Sequence, residues 1–231
     1  MTAPLTTEQI AGLQRHDTCT VSNAIETFNV RLRNEGFADS SIRCLTLCST
    51  PLVGYAVTLR IRCANPRMDG HPYVDRTEWW GCLEHLPAPR VVVIEDMDAK
   101  PGTGSFIGEV HAAILAALGC AGAITNGAVR DLPALTRAGF HAFGSATAVS
   151  HAYSHIVEFG QPVEIGGLTI RPGDLLHADC HGVLSVPLEV AGRVAAVADA
   201  IVEREQRILG LCRSPGFSIE NLRGAVGEVF H

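Results

Sequence analysis

Three residues combine charge and placement in a way that could carry chemistry: Glu109, Arg130 and Asp131. Glu109 opens the amphipathic segment EVHAAILAAL, directly after a glycine-rich loop, GTGSFIG. Arg130 and Asp131 close the run NGAVRD, which follows a strand of small residues, AGAIT. Twenty residues lie between Glu109 and Arg130, which makes the two positions one helix-and-strand unit apart. At the carboxyl end of a parallel strand a guanidinium can grip a carboxylate through two N–H donors, and a neighbouring carboxylate can hold a hard cation. Asp131 before Leu-Pro-Ala is equally good as a helix N-cap, with Pro133 tolerated in the first turn, so spacing alone leaves ligand and cap open.

The glycines admit two readings. Gly102, Gly104 and Gly108 fall between a strand and a helix, where dinucleotide loops also fall. Their spacing is not G-x-G-x-x-G, the loop is longer, and no acid closes a second strand at the required distance. A loop that lets a small anion approach the backbone N–H groups at the start of helix 109–118 fits better. His111, two residues past Glu109, is the histidine best placed to touch such a ligand. The pairs His151/His155 and His177/His181 have the H-x-x-x-H spacing that on a helix can bind zinc, but no Glu follows His151, and all four read as surface or interface histidines.

The elements that must position these residues are legible from period and punctuation. A capping box at Thr6 and Gln9 predicts a helix over about 7–15, and Val21, Ala24, Ile25 and Phe28 recur at helical spacing in a second. VGYAVTLRIR (53–62) reads as a strand. VVVIEDMD (91–98) is a continuous apolar run ending in acids, the pattern of a buried parallel strand. Helix 109–118, with Val110, Ile114, Ala117 and Leu118 on one face, and strand 121–125 complete a βαβ unit, and a third strand near 140–143 extends it. The segment 63–90 mixes turn signals with a helix-like patch around Trp79, Trp80 and Leu83, read as a surface helix tucked by its tryptophans, with the cover of a pocket or of a subunit contact as the alternative. After His151 the Gly- and Pro-rich, alternating sequence predicts hairpins and a second sheet. A long helix (about 188–209) and a short one (218–230) follow. In the long helix Val190, Val194, Val197, Ile201 and Ile208 make a narrow seam; its continuation meets Arg204 or Glu205, while Glu203 falls on the solvent side. A charge on a packing seam needs a partner, which singles out Glu205.

Composition narrows the function classes. At 231 residues, 47% hydrophobic and 18% charged, the chain can bury a large core and is not a disordered type. Net charge is −6 with no basic cluster, which argues against nucleic acid as the main partner. No apolar run approaches the roughly 18 residues of a membrane span, and the N-terminus lacks a leader pattern, so a cytoplasmic protein is expected. The eight cysteines (19, 44, 48, 63, 82, 120, 180 and 212) are scattered and read as buried thiols of a reducing compartment.

The segments GEVHAAILAALGCAGAITNGAVRD and VEFGQPVEIGGLTIRPGDLLHADCHGVLSVP, with TVSNAIE and VGYAVTLR before them, resemble the RraA-like family. That family joins the regulator of ribonuclease activity A to the 4-hydroxy-4-methyl-2-oxoglutarate aldolases. The resemblance covers most of the chain. It implies an α/β fold, a three-layer β/β/α swivelling domain over 1–231, with N-terminal helices at about 7–28 and a C-terminal helical arm at about 188–230. It also implies a homotrimer or homohexamer with sites between subunits. The activity implied is a class II aldolase, a lyase that cleaves a 4-hydroxy-2-oxo acid to pyruvate with Mg²⁺ or Mn²⁺, with oxaloacetate decarboxylation beside it. By residue, Asp131 matches the metal ligand and Arg130 the arginine on the pyruvyl carboxylate. Glu109 matches an acid that orients a metal-bound water. Gly108 and the backbone N–H groups of Val110 and His111 match the substrate cradle, and Glu205 matches a glutamate reaching a neighbouring subunit's metal waters. The alternatives are a non-catalytic regulator of the ribonuclease type and a different small-molecule enzyme on the same scaffold. Asn23, the Cys180-His181 pair and the long aromatic segment RMDGHPYVDRTEWW depart from the family pattern and bear on substrate identity.

Overall fold

The computed structural model of the chain describes residues 3–47 and 49–227. Cys48 and the last residues of the expected C-terminal arm therefore lie outside the described residues. Helices α1 (Thr7–Gln14) and α2 (Thr18–Glu26) open the chain. The expected capping box is formed: the Thr6 hydroxyl accepts from the Gln9 N–H, and the Gln9 side chain accepts from the Thr6 N–H. Then come β1 (Arg43–Cys44), β2 (Leu52–Arg62), α3 (Arg76–Leu83), β3 (Arg90–Asp96), β4 (Ser105–Ile107), α4 (Glu109–Ala117), β5 (Cys120–Thr125) and β6 (Ala128–Val129). Helix α5 (Leu132–Arg137), β7 (His141–Gly144) and β8 (Ala146–Thr147) complete the first half. The hairpin-rich part supplies β9 (His155–Phe159), β10 (Val163–Ile165), β11 (Leu168–Ile170), β12 (Leu175–Asp179) and β13 (Gly182–Val186). Helices α6 (Ala191–Cys212) and α7 (Ile219–Gly227) end it.

The main sheet is mixed. β2, β3, β5 and β7 run parallel, in that order, as the βαβ reading required, and β1 adds antiparallel to β7. On its other edge the long β2 takes two antiparallel partners in turn, β12 along Leu52–Tyr55 and β9 along Leu59–Arg62. β13 then pairs with β12. The hairpins expected after His151 are present, and the second sheet expected there is a small one. Only the β10–β11 hairpin stands apart, because β9 and β12 find free backbone donors and acceptors along the edge of β2.

Burial explains the patterns. Val91 and Val93 pack with Val163, Ile165, Leu168 and Ile170 of the small hairpin, whereas Val92 and Ile94 pack with Leu115, Leu135 and Trp79 of the helices opposite. Both faces of β3 are covered, so its sequence has no polar alternation. A third cluster joins Ile10, Leu13, Val21 and Ile25 of the first two helices to Val190, Val194, Ala198 and Ile201 of α6 over Val53 and Tyr55. The seam read from the sequence is thus real as far as Ile201. Beyond it α6 leaves the body, with Arg204 half-buried and Glu203 and Glu205 exposed. Glu203 pairs with Arg207 at 3.0 Å.

Two corrections concern burial. In α4 the buried residues are His111, Ala112 and Leu115, while Val110 is 75% exposed. The helix is small or apolar on nearly every side, so its period could not choose a face. Of the cysteines among the described residues, Cys63 and Cys120 are buried, Cys44 and Cys82 partly so, and Cys19, Cys180 and Cys212 exposed.

A small sheet, β4–β6–β8, is the part that matters for function. Its strands are parallel, with Ser105 opposite Ala128 and Ile107 opposite Val129.

Candidate functional site

Parallel pairing of Ile107 with Val129 sets the residues that follow each strand side by side, and the Arg130 N–H donates to the Ile107 carbonyl at 3.2 Å. Gly108–Glu109 and Arg130–Asp131 are thereby brought together. The Glu109 N–H donates to Asp131 Oδ2 at 2.9 Å, and Arg130 Nε lies 3.5 Å from the same oxygen. Asp131 stands at the N-cap position of α5, yet its side chain makes no capping bond there. Its backbone is left-handed (φ 58°, ψ 31°), and its carboxylate crosses to the first turn of α4. Of the two readings open for Asp131, capping of its own helix is excluded by this geometry. A non-glycine residue in this region costs about 1 kcal/mol, and strain of that kind collects at functional sites.

Gly108 makes the meeting possible. Its φ of −143° suits any residue, but a Cβ there would lie 2.6 Å from Asp131 Oδ2 and 2.8 Å from Arg130 Nε. The requirement is space. The first-turn N–H groups of Val110 and His111 have no intrahelical acceptor, and with the positive end of the helix dipole they favour an anion. The partly exposed Arg130 guanidinium adds charge of the same sign.

The His111 ring is occupied by the fold. Nδ1 donates to the Phe106 carbonyl at 3.0 Å, and Nε2 accepts from the Trp80 indole N–H at 3.2 Å. The ring stacks edge-on with Trp79, Trp80 and Phe106. Burial holds its pKa down at about 4. Both ring nitrogens are thus spent within the fold, while the residue itself lines the cleft described next. The buried rings of His177 and His141 are shifted the same way by burial. A histidine that protonates more readily when unfolded contributes full stability above about pH 6.5 and loses it as the pH falls toward the folded value. The thermal midpoint is expected to fall between pH 7 and pH 4.5, with His111 alone responsible for up to about 3 kcal/mol. A midpoint flat across that interval would contradict the assignment of a buried neutral ring.

A cleft of about 460 Å³ opens beside these residues. Its lining combines Gly108, Val110, His111 and Arg130 with Arg67, Arg76 and Trp80 of the 63–90 segment and with His151, Tyr153 and His155. Helix α3 is the surface helix expected, tucked by its tryptophans, and it also borders the cleft. Trp79 is fully buried in the core and Trp80 faces the cleft. Sequence reasoning missed Arg67, Arg76 and Tyr153. The available signal was a concentration of arginine and aromatic residues inside a turn-rich stretch.

The remaining histidines divide. His151 and His155 are not on a helix; each turns Nδ1 to a nearby carbonyl, at 2.7 and 2.8 Å, and both line the cleft. His177 is fully buried between the Thr18 hydroxyl and the Leu13 carbonyl, against the expectation of a surface residue. His181 is exposed and pairs with Asp179 at 3.0 Å.

Three places among the described residues offer carboxylates to a divalent cation. Asp131 Oδ1 and the exposed Glu109 carboxylate have no protein partner among the described residues, and the Glu109 backbone N–H is bonded to the other Asp131 oxygen. Two free carboxylates suit a small hard ion that keeps most of its waters. Two other clusters could hold an ion among the described residues, Cys63–Asp96–Asp98 and Asp179–Cys180–His181. In the first, Asp98 Oδ2 already accepts from the Cys63 and Ala64 N–H groups at 2.7 Å, and Asp96 from those of Asp98 and Gly102. These carboxylates serve as turn formers. Glu205 lies on the uncovered half of α6 and does not line the cleft within one chain.

Comparison with known proteins completes the description. The RraA-like family model, described as Aldolase/RraA, matches residues 18–185. A protein of Halalkalibacterium halodurans provisionally named 4-hydroxy-4-methyl-2-oxoglutarate aldolase is 34% identical over 99 residues, 42% of this chain and 46% of that one. The chain spans less than half the length of the curated relatives it matches. A crystal structure of an uncharacterized Pseudomonas syringae protein superposes with a TM-score of 0.73 at 23% identity, covering 96% of both chains. Streptomyces coelicolor RraAS2, described as an unusual member of the RNase ES inhibitor RraA family, gives 0.66 at 23% identity over 92% of this chain and 99% of its own. These superpositions bear out the three-layer fold with its C-terminal helices.

Proposed function

This chain belongs to the RraA-like (Aldolase/RraA) family, and from that premise we propose that it is a divalent-metal-dependent lyase releasing pyruvate from a 4-hydroxy-2-oxo acid. One observation carries the reading: the Glu109 amide and the Asp131 carboxylate meet at 2.9 Å beside Arg130, across a Gly108 that leaves no room for a side chain.

Bound at Asp131, with Glu109 acting through its waters, Mg²⁺ or Mn²⁺ would supply Lewis-acid stabilisation of the charge that develops on the 2-oxo group. The chain's own groups do the rest. Arg130 grips the substrate carboxylate with two N–H donors, and the free amides of Val110 and His111 support the same anion at the helix start. Removal of the C4 hydroxyl proton turns that carbon into a carbonyl as the C3–C4 bond breaks, and the bonding pair remains as pyruvate enolate. Proton return to C3 gives pyruvate. Glu109, exposed and unpaired, is the group to relay these protons through a water, since both His111 nitrogens are taken. Oxaloacetate, losing CO₂ in place of the carbonyl fragment, yields the same enolate.

Glu205 belongs to this proposal only through a second subunit. The exposed Val110, Val149 and Tyr153, of which Val110 and Tyr153 line the cleft, support a partner covering that region. Glu205 of that partner subunit would reach the waters around the ion. The test is pyruvate release from 4-hydroxy-4-methyl-2-oxoglutarate and from oxaloacetate, with Mg²⁺ and then with EDTA. Turnover with metal and at least a tenfold loss on chelation are expected. No metal-dependent release from either substrate overturns the lyase reading in favour of a binding role.

A further inference from the structure

The cleft has an imbalance of charge. Its lining includes three arginines, Arg67, Arg76 and Arg130, and three histidines, but no aspartate or glutamate. The chain as a whole carries a net charge of −6, so the excess is local. Arg130 has Asp131 beside it; Arg67 and Arg76 have no carboxylate within 4.0 Å among the described residues. What holds Arg76 is neutral. Its Nη2 donates to the Ser154 carbonyl and lies near the Ser154 hydroxyl, at 3.2 and 3.4 Å, and the guanidinium sits 5.0 Å from the centre of the Phe106 ring. Phe106 is fixed by Trp79 and His111. Arg67 lies over the Tyr73 ring at 3.9 Å. Both cations are therefore oriented on aromatic faces, and neither is held in an ion pair among the described residues.

We propose that Arg76 and Arg67, which line the same cleft as Arg130, form a second anion subsite that recognises a carboxylate at the distal end of the substrate. The proposal rests on the lyase reading for the role of Arg130. Like charges facing one cavity repel when it is empty, and two planar guanidiniums supply the paired donors that a carboxylate accepts. With Arg130 on the 2-oxo acid end, the remaining arginines select substrates with a second negative group and discriminate against those ending in a methyl or other neutral group. The aromatic side chains in the same lining, Trp80 and Phe106, exclude water around the bound chain and strengthen both pairings. This assigns a role to the 63–90 segment, which supplies Arg67, Arg76 and Trp80.

Binding and turnover separate this idea from the lyase reading. Calorimetric titration of the full chain with Mg²⁺ is made with 2-oxoglutarate and with pyruvate, for the native protein, Arg76→Gln, Arg76→Lys and Arg67→Gln. The dicarboxylate is expected to bind at least tenfold tighter than the monocarboxylate. Arg76→Gln should erase most of that advantage and leave pyruvate affinity within about threefold, and Lys should restore part of it. In turnover, kcat/KM should fall about tenfold to a hundredfold for 4-hydroxy-4-methyl-2-oxoglutarate and less than threefold for 4-hydroxy-2-oxopentanoate. An Arg76-dependent preference without any pyruvate release keeps the subsite and overturns the lyase reading. Pyruvate release with no Arg76-dependent preference keeps the lyase and overturns the subsite. Equal losses for both ligand classes, or none for either, also overturn the subsite.

Discussion

Replacing Asp131 with asparagine is expected to leave a folded protein whose metal-dependent pyruvate release has dropped by about a thousandfold or more. The expectation comes from what each Asp131 oxygen does. Oδ2 accepts the Glu109 N–H, a bond that an asparagine carbonyl can also accept. Asparagine also tolerates a left-handed backbone, so the turn into α5 is kept. Lost are the negative charge and the free anionic oxygen, which are what a hard cation requires. Stability should therefore change by no more than about 1 kcal/mol, the size of a charge at a helix end. Loss of Lewis-acid stabilisation worth several kcal/mol removes three or more powers of ten from the rate. Circular dichroism and a thermal midpoint give the first half of the result, and a pyruvate assay across Mg²⁺ concentrations gives the second. A variant that keeps its activity would return Asp131 to a purely structural role.

The second large effect is expected at a residue with no functional group. Gly108→Ala introduces one methyl group where Asp131 Oδ2 and Arg130 Nε leave 2.6 and 2.8 Å. The backbone conformation is permitted, so the strain falls on the two side chains, which are partly exposed and free to swing away. The predicted signature is a loss of about a hundredfold in kcat/KM with less than about 2 kcal/mol of destabilisation, because a misplacement near 1 Å is enough to break a productive geometry. A control at Gly210, where nothing lies within 4 Å of an added Cβ and the helix is exposed, should gain slightly in stability on the same substitution. If Gly108→Ala and Gly210→Ala behaved alike in the assay, the crowding at Gly108 would have no bearing on catalysis.

Much of the frame was legible in the sequence, for local reasons. The Thr6–Gln9 capping box, the two-faced burial of 91–96 and the βαβ unit around α4 are all written in adjacent residues, and each is present. So was the meeting of Glu109 with Arg130 and Asp131, since one crossover unit between parallel strands fixes that proximity. Other features needed the tertiary fold. The left-handed conformation of Asp131 has no signal in NGAVRD, and a nearly all-apolar α4 cannot announce which side faces the core. His177 looks like any polar residue in a strand until Thr18 and Leu13 close on both of its nitrogens. Arg76 reads as a surface residue of a short helix, and only the fold brings it to the same cleft as Arg130. Glu205 remains a residue in search of a neighbour, which one chain does not contain.

The shortness of the β4–β6 pairing has a consequence for how the gene could be edited. Two residue pairs, Ser105 with Ala128 and Ile107 with Val129, set the alignment of everything that follows them. An extra residue in the turn at 118–119 lengthens a surface bend and leaves that alignment alone. The same insertion after Ile107 or after Val129 shifts one wall of the cleft past the other by a full residue, about 3.3 Å, and reverses the side to which its chains point. Tolerance to changes in length is thus uneven along a stretch of some twenty residues: permissive in its middle and nil at its two junctions. A scan of single-residue insertions from 105 to 132, scored separately for soluble protein and for pyruvate release, would trace the two junctions as sharp minima in the second score alone.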